Sequence, residues 1–180
     1  MDLRKALGKK SFSPASTPTT IVKFKEIPAK AREKVMAFRV SNPPDMSHVG
    51  LSLFNKSKQR LQVNFLGILL PQGANADNTQ RLFVAGAQSV ADQFVMLNPG
   101  EGRELELTTA CLDHTKNPPE GNIRYAIDEV NDPPEAVVKA GQEFLETASQ
   151  FVSGESSRMD SRIKAAVGQM QTKVWSAMSD

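Results

Sequence analysis

The residues with the greatest chemical potential lie in one short stretch, residues 108–114, which reads Thr-Thr-Ala-Cys-Leu-Asp-His. A cysteine near a histidine can act as a nucleophile if the two side chains meet and the thiol pKa is lowered. We expect Cys111 to lie at the end of a strand and His114 in the loop after it, which does not aim the two side chains at each other. The sequence therefore favours Cys111 as a small core residue and predicts no catalytic residues.

Metal binding is a second chemistry that histidines and carboxylates can support. The chain has two histidines, His48 and His114, and neither has a partner ligand at the spacing of a known metal site. The single cysteine also excludes an internal disulfide and a zinc site built from cysteines alone. The sequence predicts no metal site and no other cofactor.

Strands must position the stretch around Cys111, because residues 20–130 alternate apolar and polar side chains over short runs. Turn-forming clusters separate these runs, including Asn-Pro-Gly-Glu-Gly at 98–102. The runs on either side of Asn-Lys-Ser-Lys at 55–58 are interpreted as a β-hairpin. The predicted strands are residues 20–27, 35–40, 49–54, 61–65, 80–84, 93–97, 104–112 and 123–127.

Two helices are predicted after the strands. Asp-Pro-Pro-Glu at 132–135 is typical of a helix start, with a capping Asp and a Pro in the first turn. Apolar residues then recur on one face over 134–152 and 159–178. We expect a mainly β chain, an antiparallel β-sandwich that is Ig-like in architecture, with two C-terminal α-helices. The predicted divisions are a basic flexible tail at 1–18, a sandwich domain at 19–132 and a helical segment at 133–180.

The second helix carries an apolar stripe that needs a covering surface, because an isolated helical pair of this length is only marginally stable. Either the sandwich of the same chain or another protein can supply that surface. We expect at least one end of the chain, the tail or this helix, to contact another protein subunit or a second copy. The candidate contact residues are Arg4, Lys5, Lys9 and Lys10 of the tail and Ile163, Val167, Met170, Val174, Trp175 and Met178 of the helix.

Charge is unevenly divided along the chain. Residues 1–39 contain 10 Lys and Arg against 3 Asp and Glu, whereas residues 40–180 contain 12 against 17. A basic end on an acidic body can steer partners and favour head-to-tail self-association at low salt, or it can be a solvated tail. Weak nucleic-acid binding through the tail is a further alternative. The single Trp and single Tyr offer no stacking platform for it, so nucleic acid is not the expected partner.

The middle of the chain resembles secreted or surface β-sandwich domains of bacteria, mostly of unknown function, whose last core strand ends in a Cys-Leu-Asp-His-like motif. The resemblance covers about residues 48–130. It is carried by Asn-Lys-Ser at 55–57, Leu-Phe-Val at 82–84, Leu-Asn-Pro-Gly at 97–100 and the motif at 111–114. The resemblance implies a sandwich fold and an exported or surface location. The sequence shows no signal peptide and no apolar run long enough to span a bilayer, which by itself indicates the cytoplasm.

A second resemblance involves Gln-Thr-Lys-Val-Trp at 171–175, which is similar to the Gln-x-Ala-Ile-Trp segment of the thioester domains of bacterial adhesins. In those domains a Cys and a Gln side chain condense into an internal thioester that captures a surface nucleophile. The resemblance implies that Cys111 and Gln171 would form the pair here. Packing of Trp175 against the sandwich explains the same segment equally well.

These observations favour the hypothesis that the protein is not an enzyme. With no catalytic set in the sequence, we expect a protein-interaction or structural module, an accessory subunit of a larger assembly. The alternative is a surface adhesin-like domain with an internal Cys–Gln thioester. The second alternative is weak nucleic-acid binding through the basic N-terminal tail.

Overall fold

The computed structural model describes residues 18–41, 49–87, 93–119, 123–150 and 161–179. The strands in these ranges are β1 Thr19–Val22, β2 Met36–Ser41, β3 Val49–Asn55, β4 Arg60–Asn64, β5 Gly67–Gln72, β6 Leu82–Ala87, β7 Phe94–Leu97, β8 Gly102–Cys111 and β9 Arg124–Ile127. The helices are α1 Ile27–Arg32, α2 Glu135–Ser149 and α3 Ser161–Met178. The chain is therefore mainly β with two C-terminal helices, as predicted.

The strands form two sheets. The three-stranded sheet has the order β1-β4-β7, and the six-stranded sheet has the order β2-β3-β8-β6-β5-β9. The two outer strands of the six-stranded sheet, β2 and β9, come close to each other, so this sheet is nearly closed like a barrel. Every pairing within it is antiparallel, but β1 runs parallel to β4, which the purely antiparallel prediction did not include.

The hairpin predicted around residues 55–58 is wrong, because β3 and β4 belong to different sheets. The side chain of the fully buried Asn55 builds this crossing. Its Nδ2 donates to the carbonyls of Gln59 at 2.7 Å and Leu97 at 3.0 Å, and its Oδ1 accepts from the Ser57 backbone N–H at 2.9 Å. Leu97 lies in β7 of the three-stranded sheet. The Asn55 carboxamide therefore links the end of β3, in the six-stranded sheet, to the three-stranded sheet.

The strand predicted over 20–27 ends early, at Val22. A short 3₁₀ turn at Phe24–Glu26 and helix α1 follow it, with Pro28 in the first turn of the helix. The Glu26 carboxylate accepts a hydrogen bond from the Lys23 N–H at 2.9 Å, which favours the turn. Strand β5 was absent from the prediction because its residues are nearly all buried and show no alternation.

The main core lies between the two sheets. Alternate residues of each sheet point into it, and the burial of β3 and β4 follows the two-residue period of a strand. The three-stranded sheet contributes Val22, Leu61, Val63, Val95 and Leu97, and the six-stranded sheet contributes Leu51, Leu53, Val84, Leu105 and Leu107, among others.

A second core lies on the opposite face of the six-stranded sheet, where α2 and α3 pack together and cover β6 and β8. All six residues of β6 are buried because this strand has a core on each side. Gly141 lets α2 approach closely: a Cβ there would lie 2.8 Å from the Phe83 ring. The helical segment therefore shares one core with the sheet.

The start of α2 differs from the prediction. Asp132 does not cap the helix, which begins at Glu135 after an extended Pro134. Its carboxylate instead pairs with Lys25 Nζ at 3.0 Å, and Glu129 pairs with Arg32 at 2.7 Å, so the segment before α2 is joined to the segment around α1. Within the described ranges, no helix combines the length and the apolar character needed to cross a membrane.

Candidate functional site

The predicted motif residues lie where β8 ends against α3. Ala110 and Leu112 point into the core beneath the helices, whereas Cys111 packs against the core between the two sheets. This alternation is that of a regular strand. The Cys111 side chain is therefore on the sheet face opposite α3.

Gln171 of α3 binds the backbone of Cys111 at both of its polar groups. The Cys111 N–H donates to Gln171 Oε1 at 2.7 Å, and Gln171 Nε2 donates to the Cys111 carbonyl at 2.8 Å. Strand β3 pairs with one edge of β8 as far as Leu107, which lies opposite Val49, and β6 pairs with the other edge as far as Cys111. Beyond Leu107, the edge that β3 occupies has no strand partner in the described residues. The carboxamide thus supplies the two hydrogen bonds that a neighbouring strand would supply.

Trp175 lies one turn after Gln171 on the same face of α3. Its ring packs on His114, with ring centroids 4.6 Å apart and an interplanar angle of 56°. The motif Cys-Leu-Asp-His and the motif Gln-x-x-x-Trp therefore contact each other at two points. We call this set, Cys111, His114, Gln171 and Trp175, the α3 clamp.

Asp113 fixes the loop that follows β8. Its carboxylate accepts from the Arg81 guanidinium at 2.9 and 2.8 Å and from the Arg81 backbone N–H at 2.9 Å. Burial alone would raise the pKa of Asp113, but these hydrogen bonds and the charge of Arg81 outweigh it and hold the pKa below its usual value. Asp113 is an ionised structural anchor.

Burial raises the pKa of the Cys111 thiol, and the negative charge of Asp113 raises it further. The thiol is therefore protonated at neutral pH, whereas a nucleophile or a metal ligand needs the thiolate. The neighbouring Tyr125 is also buried, its pKa is raised mainly by that burial, and its hydroxyl donates to the Gln80 carbonyl at 2.8 Å. These properties agree with the core interpretation of Cys111.

The predicted thioester pair, Cys111 and Gln171, is brought together across 60 positions of sequence. The contact uses the backbone of Cys111, and both polar groups of the Gln171 carboxamide are occupied by it. No bond between the thiol and the carboxamide is part of this geometry, so the thioester stays a prediction.

The helical contact candidates are covered by their own chain. Ile163, Met170 and Val174 are buried in the core beneath the helices, and Val167 and Met178 pack against its margin. Trp175 is half-buried on His114. The stripe is therefore covered by α2 and the six-stranded sheet, and it is not a free surface for a partner's helix groove. The tail candidates Arg4, Lys5, Lys9 and Lys10, and also His48, lie outside the described residues.

An open apolar face, which the sequence did not single out, lies on the outer side of the three-stranded sheet. Ile21, Gln62 and Met96 form one row across its three strands, and Asn64 and Phe94 form the next. Ile21 in β1 is 57% exposed and Phe94 in β7 is 40% exposed, and Met96, two residues after Phe94, is half-buried. We call these five residues the outer face. Alternation in the two edge strands is the available signal, because it leaves Ile21 of β1 and both Phe94 and Met96 of β7 pointing outward.

A polar pocket, also missed, lies between the β5–β6 and β8–β9 connections. Its lining includes Gln72, Asn75, Asn78, Thr79 and Asn117. Among the described residues, no three His, Cys, Asp or Glu side chains are grouped as a metal site would require.

No protein-family model matches this chain, and neither the curated proteins nor the solved structures contain a match to it. Function must therefore be argued from the geometry of the clamp, the outer face and the pocket. Of the three, the outer face is the one that exposes large apolar side chains.

Proposed function

We propose that the chain is a non-enzymatic protein-interaction module, an accessory subunit of a larger assembly, and that the outer face is its partner-binding surface. The observation that carries the proposal is the exposure of Ile21 and Phe94 on one face of a sheet whose other face is fully packed. Exposed apolar side chains that are gathered on one surface are typical of protein contacts. The proposal includes a finer architecture, in which the two sheets form an Ig-like sandwich around their shared core.

The chemistry of the outer face supports a protein partner. Gln62 Nε2 donates to Asn64 Oδ1 at 3.1 Å between the apolar residues, so the centre of the face is neutral and its amides are already partly satisfied. Aromatic residues and methionine are enriched at interface centres, whereas charged residues are depleted there. The outer face has an aromatic residue and a methionine, and the charged Arg60 lies at its rim, in the row before Ile21 and Gln62.

The covered α3 stripe also supports this assignment by elimination. Its apolar residues are packed within the chain, so they need no external groove. Cys111 is a protonated, half-buried thiol, and Asp113 is committed to Arg81, so neither is available for acid–base chemistry at neutral pH. The α3 stripe and the α3 clamp are thus used within the fold, and the outer face is the described surface that exposes large apolar side chains side by side with amides on one sheet.

The experiment compares co-purification from source cells for the wild type, the Ile21→Ser/Phe94→Ser double variant and the control Val130→Ser. Val130 is 79% exposed but lies outside the outer face, before α2. The proposal expects one defined set of partners, or a second copy of the chain by sedimentation, that is lost from the double variant and kept by the control. The same partners on all three chains, or none with a compact monomer, would refute it.

A second candidate function is the thioester domain, and the contact between Gln171 and Cys111 favours it. In this reaction the thiol sulfur bonds to the Gln171 carbonyl carbon, and the amide nitrogen leaves as ammonia with the thiol proton. The intact mass would then fall by one ammonia, and a small amine would add covalently at Gln171. An unchanged mass, with a titratable thiol in the unfolded wild type, supports the interaction module instead.

A further inference from the structure

The polar pocket lies between the β5–β6 and β8–β9 connections of the six-stranded sheet, and it shares no residue with the outer face. It has a volume of about 330 Å³, within the range of small-molecule sites. Its lining is Gln72, Ala74, Asn75, Asn78, Thr79, Asn117, Pro118 and Ile123. None of these described lining residues carries a charge.

The two loops that form the pocket are fixed to each other by backbone hydrogen bonds. The Asn117 N–H donates to the Asn78 carbonyl at 2.8 Å, and the Gln80 N–H donates to the Asn117 carbonyl at 2.9 Å. Thr79 Oγ1 also donates to the Asn75 carbonyl at 2.9 Å. A loop pair held in this way presents its side chains in a defined arrangement, which lowers the entropy lost on binding.

Three carboxamide side chains on these two loops are not used in hydrogen bonds to the described protein. Within the described ranges, the side chains of Asn75, Asn78 and Asn117 make no hydrogen bond to the protein, although the backbones of all three do. A carboxamide donates through its nitrogen and accepts through its oxygen, so three of them can bind a group of neighbouring hydroxyls without a net charge. Pro118 and Ala74 add apolar surface beside them.

We propose that this pocket binds a neutral saccharide. Hydroxyl groups match the paired donors and acceptors of the carboxamides, and the apolar lining matches the carbon faces of a sugar ring. A phosphate or carboxylate ligand would find no cation among the lining residues that the structure describes. An extended peptide would need free backbone groups, but Asn78, Gln80 and Asn117 already pair theirs across the two loops.

The test is a titration of the full ¹⁵N-labelled chain with glucose, N-acetylglucosamine, maltose and cellobiose, observed at the side-chain NH₂ signals. At least one sugar is expected to shift the signals of Asn75, Asn78 and Asn117 in a saturable way. In the Asn78→Ala/Asn117→Ala variant the affinity is expected to fall about tenfold or more, as for the loss of two hydrogen bonds. The control Gln142→Ala removes an exposed amide of α2 and is expected to bind like the wild type.

Three results would overturn the proposal. One is that none of the four sugars moves these signals at millimolar concentration. Another is that the double variant, with wild-type thermal stability, binds as tightly as the control. The last is that a neutral oligopeptide such as penta-alanine moves them while the sugars do not. Each result is independent of the outer face, because Ile21 and Phe94 are unchanged in all of these chains.

Discussion

The two outer faces of the β structure differ in whether the described part of the chain covers them. The six-stranded sheet places Phe83, Ala85 and Ala110 under α2 and α3, where the chain covers them with its own apolar stripe. The three-stranded sheet instead leaves Ile21 and Phe94 exposed on its outer face. Among the described residues, α2 and α3 cover only the face of the six-stranded sheet, and the apolar residues on the outer face are left for a contact of another kind.

The largest expected effect separates the two faces by stability. Phe83 is fully buried beneath α2, so Phe83→Ala is expected to lower the free energy of unfolding by about 3–5 kcal/mol. Phe94→Ala truncates the same residue type on the outer face, where Phe94 is 40% exposed, and is expected to lower the free energy of unfolding by about 1 kcal/mol. Urea denaturation of both variants measures the two values. Equal losses would mean that the outer face is part of the core of the isolated chain.

The next effect concerns the α3 clamp. Gln171→Ala removes both hydrogen bonds to the Cys111 backbone and is expected to cost about 1–3 kcal/mol, because polar groups at the β8 edge lose their partners. Gln169→Ala, on the exposed side of α3, is the matched control and should change stability little. A Gln171 variant as stable as the control would show that the covered face is held by apolar packing alone.

Gln171→Glu adds a pH dependence to the same test. An ionised carboxylate would face the Cys111 carbonyl, so protonation is favoured and the pKa of the introduced Glu in the folded chain is expected to lie above its unfolded value. The stabilising contribution of this group is then present at acidic pH and lost as the pH rises through the folded pKa. Unfolding curves at several pH values measure it, and a pH-independent difference from the wild type would contradict the clamp geometry.

The smallest expected effect concerns Asp113, which anchors the loop beside the clamp. Its pKa is lowered in the folded chain, so its contribution is present above the unfolded pKa and lost as the pH falls towards the folded value. Asp113→Asn is expected to cost about 1.5 kcal/mol at neutral pH and to lose this acid dependence. Asp132→Asn breaks an exposed pair with Lys25 and serves as the control, for which little change is expected. Equal pH profiles for the two variants would show that Arg81 does not stabilise the loop.

Sequence periodicity predicts the local elements of this fold well where one face is buried. The helices predicted over 134–152 and 159–178 are confirmed as α2 and α3 where the structure describes them, whereas residues 151–152 and 159–160 lie outside the described residues. The Asn-Pro-Gly turn has its glycine at φ 77°. Periodicity fails for β5, which is buried on both faces, and at Asn55, where a side-chain hydrogen-bond network sends the chain to the other sheet. Double burial gives a continuous apolar run, here residues 65–71, which hydropathy alone does not assign to a strand or to a buried helix, and a sheet crossing leaves no hydropathy pattern.

The candidate sites also divide into contacts that the sequence predicts and contacts that only the structure shows. The proximity of Cys111 and Gln171 followed from the resemblance of two short motifs, but its use of the Cys111 backbone did not. The His114–Trp175 contact joins two residues that each motif contained separately. The pocket needs Asn78 and Asn117 to meet through loop geometry, and the outer face needs β1 beside β4, a parallel pairing of distant segments. Such long-range pairings are set by tertiary packing.

The most direct test of the central claim is hydroxyl-radical footprinting of the chain alone and in the assembly with which it co-purifies. The outer face account predicts that Ile21, Phe94 and Met96 lose labelling on assembly, while the exposed residues of α2 and α3, including Gln142 and Lys164, keep theirs. Loss of labelling on α2 and α3, with Ile21, Phe94 and Met96 unchanged, would contradict it.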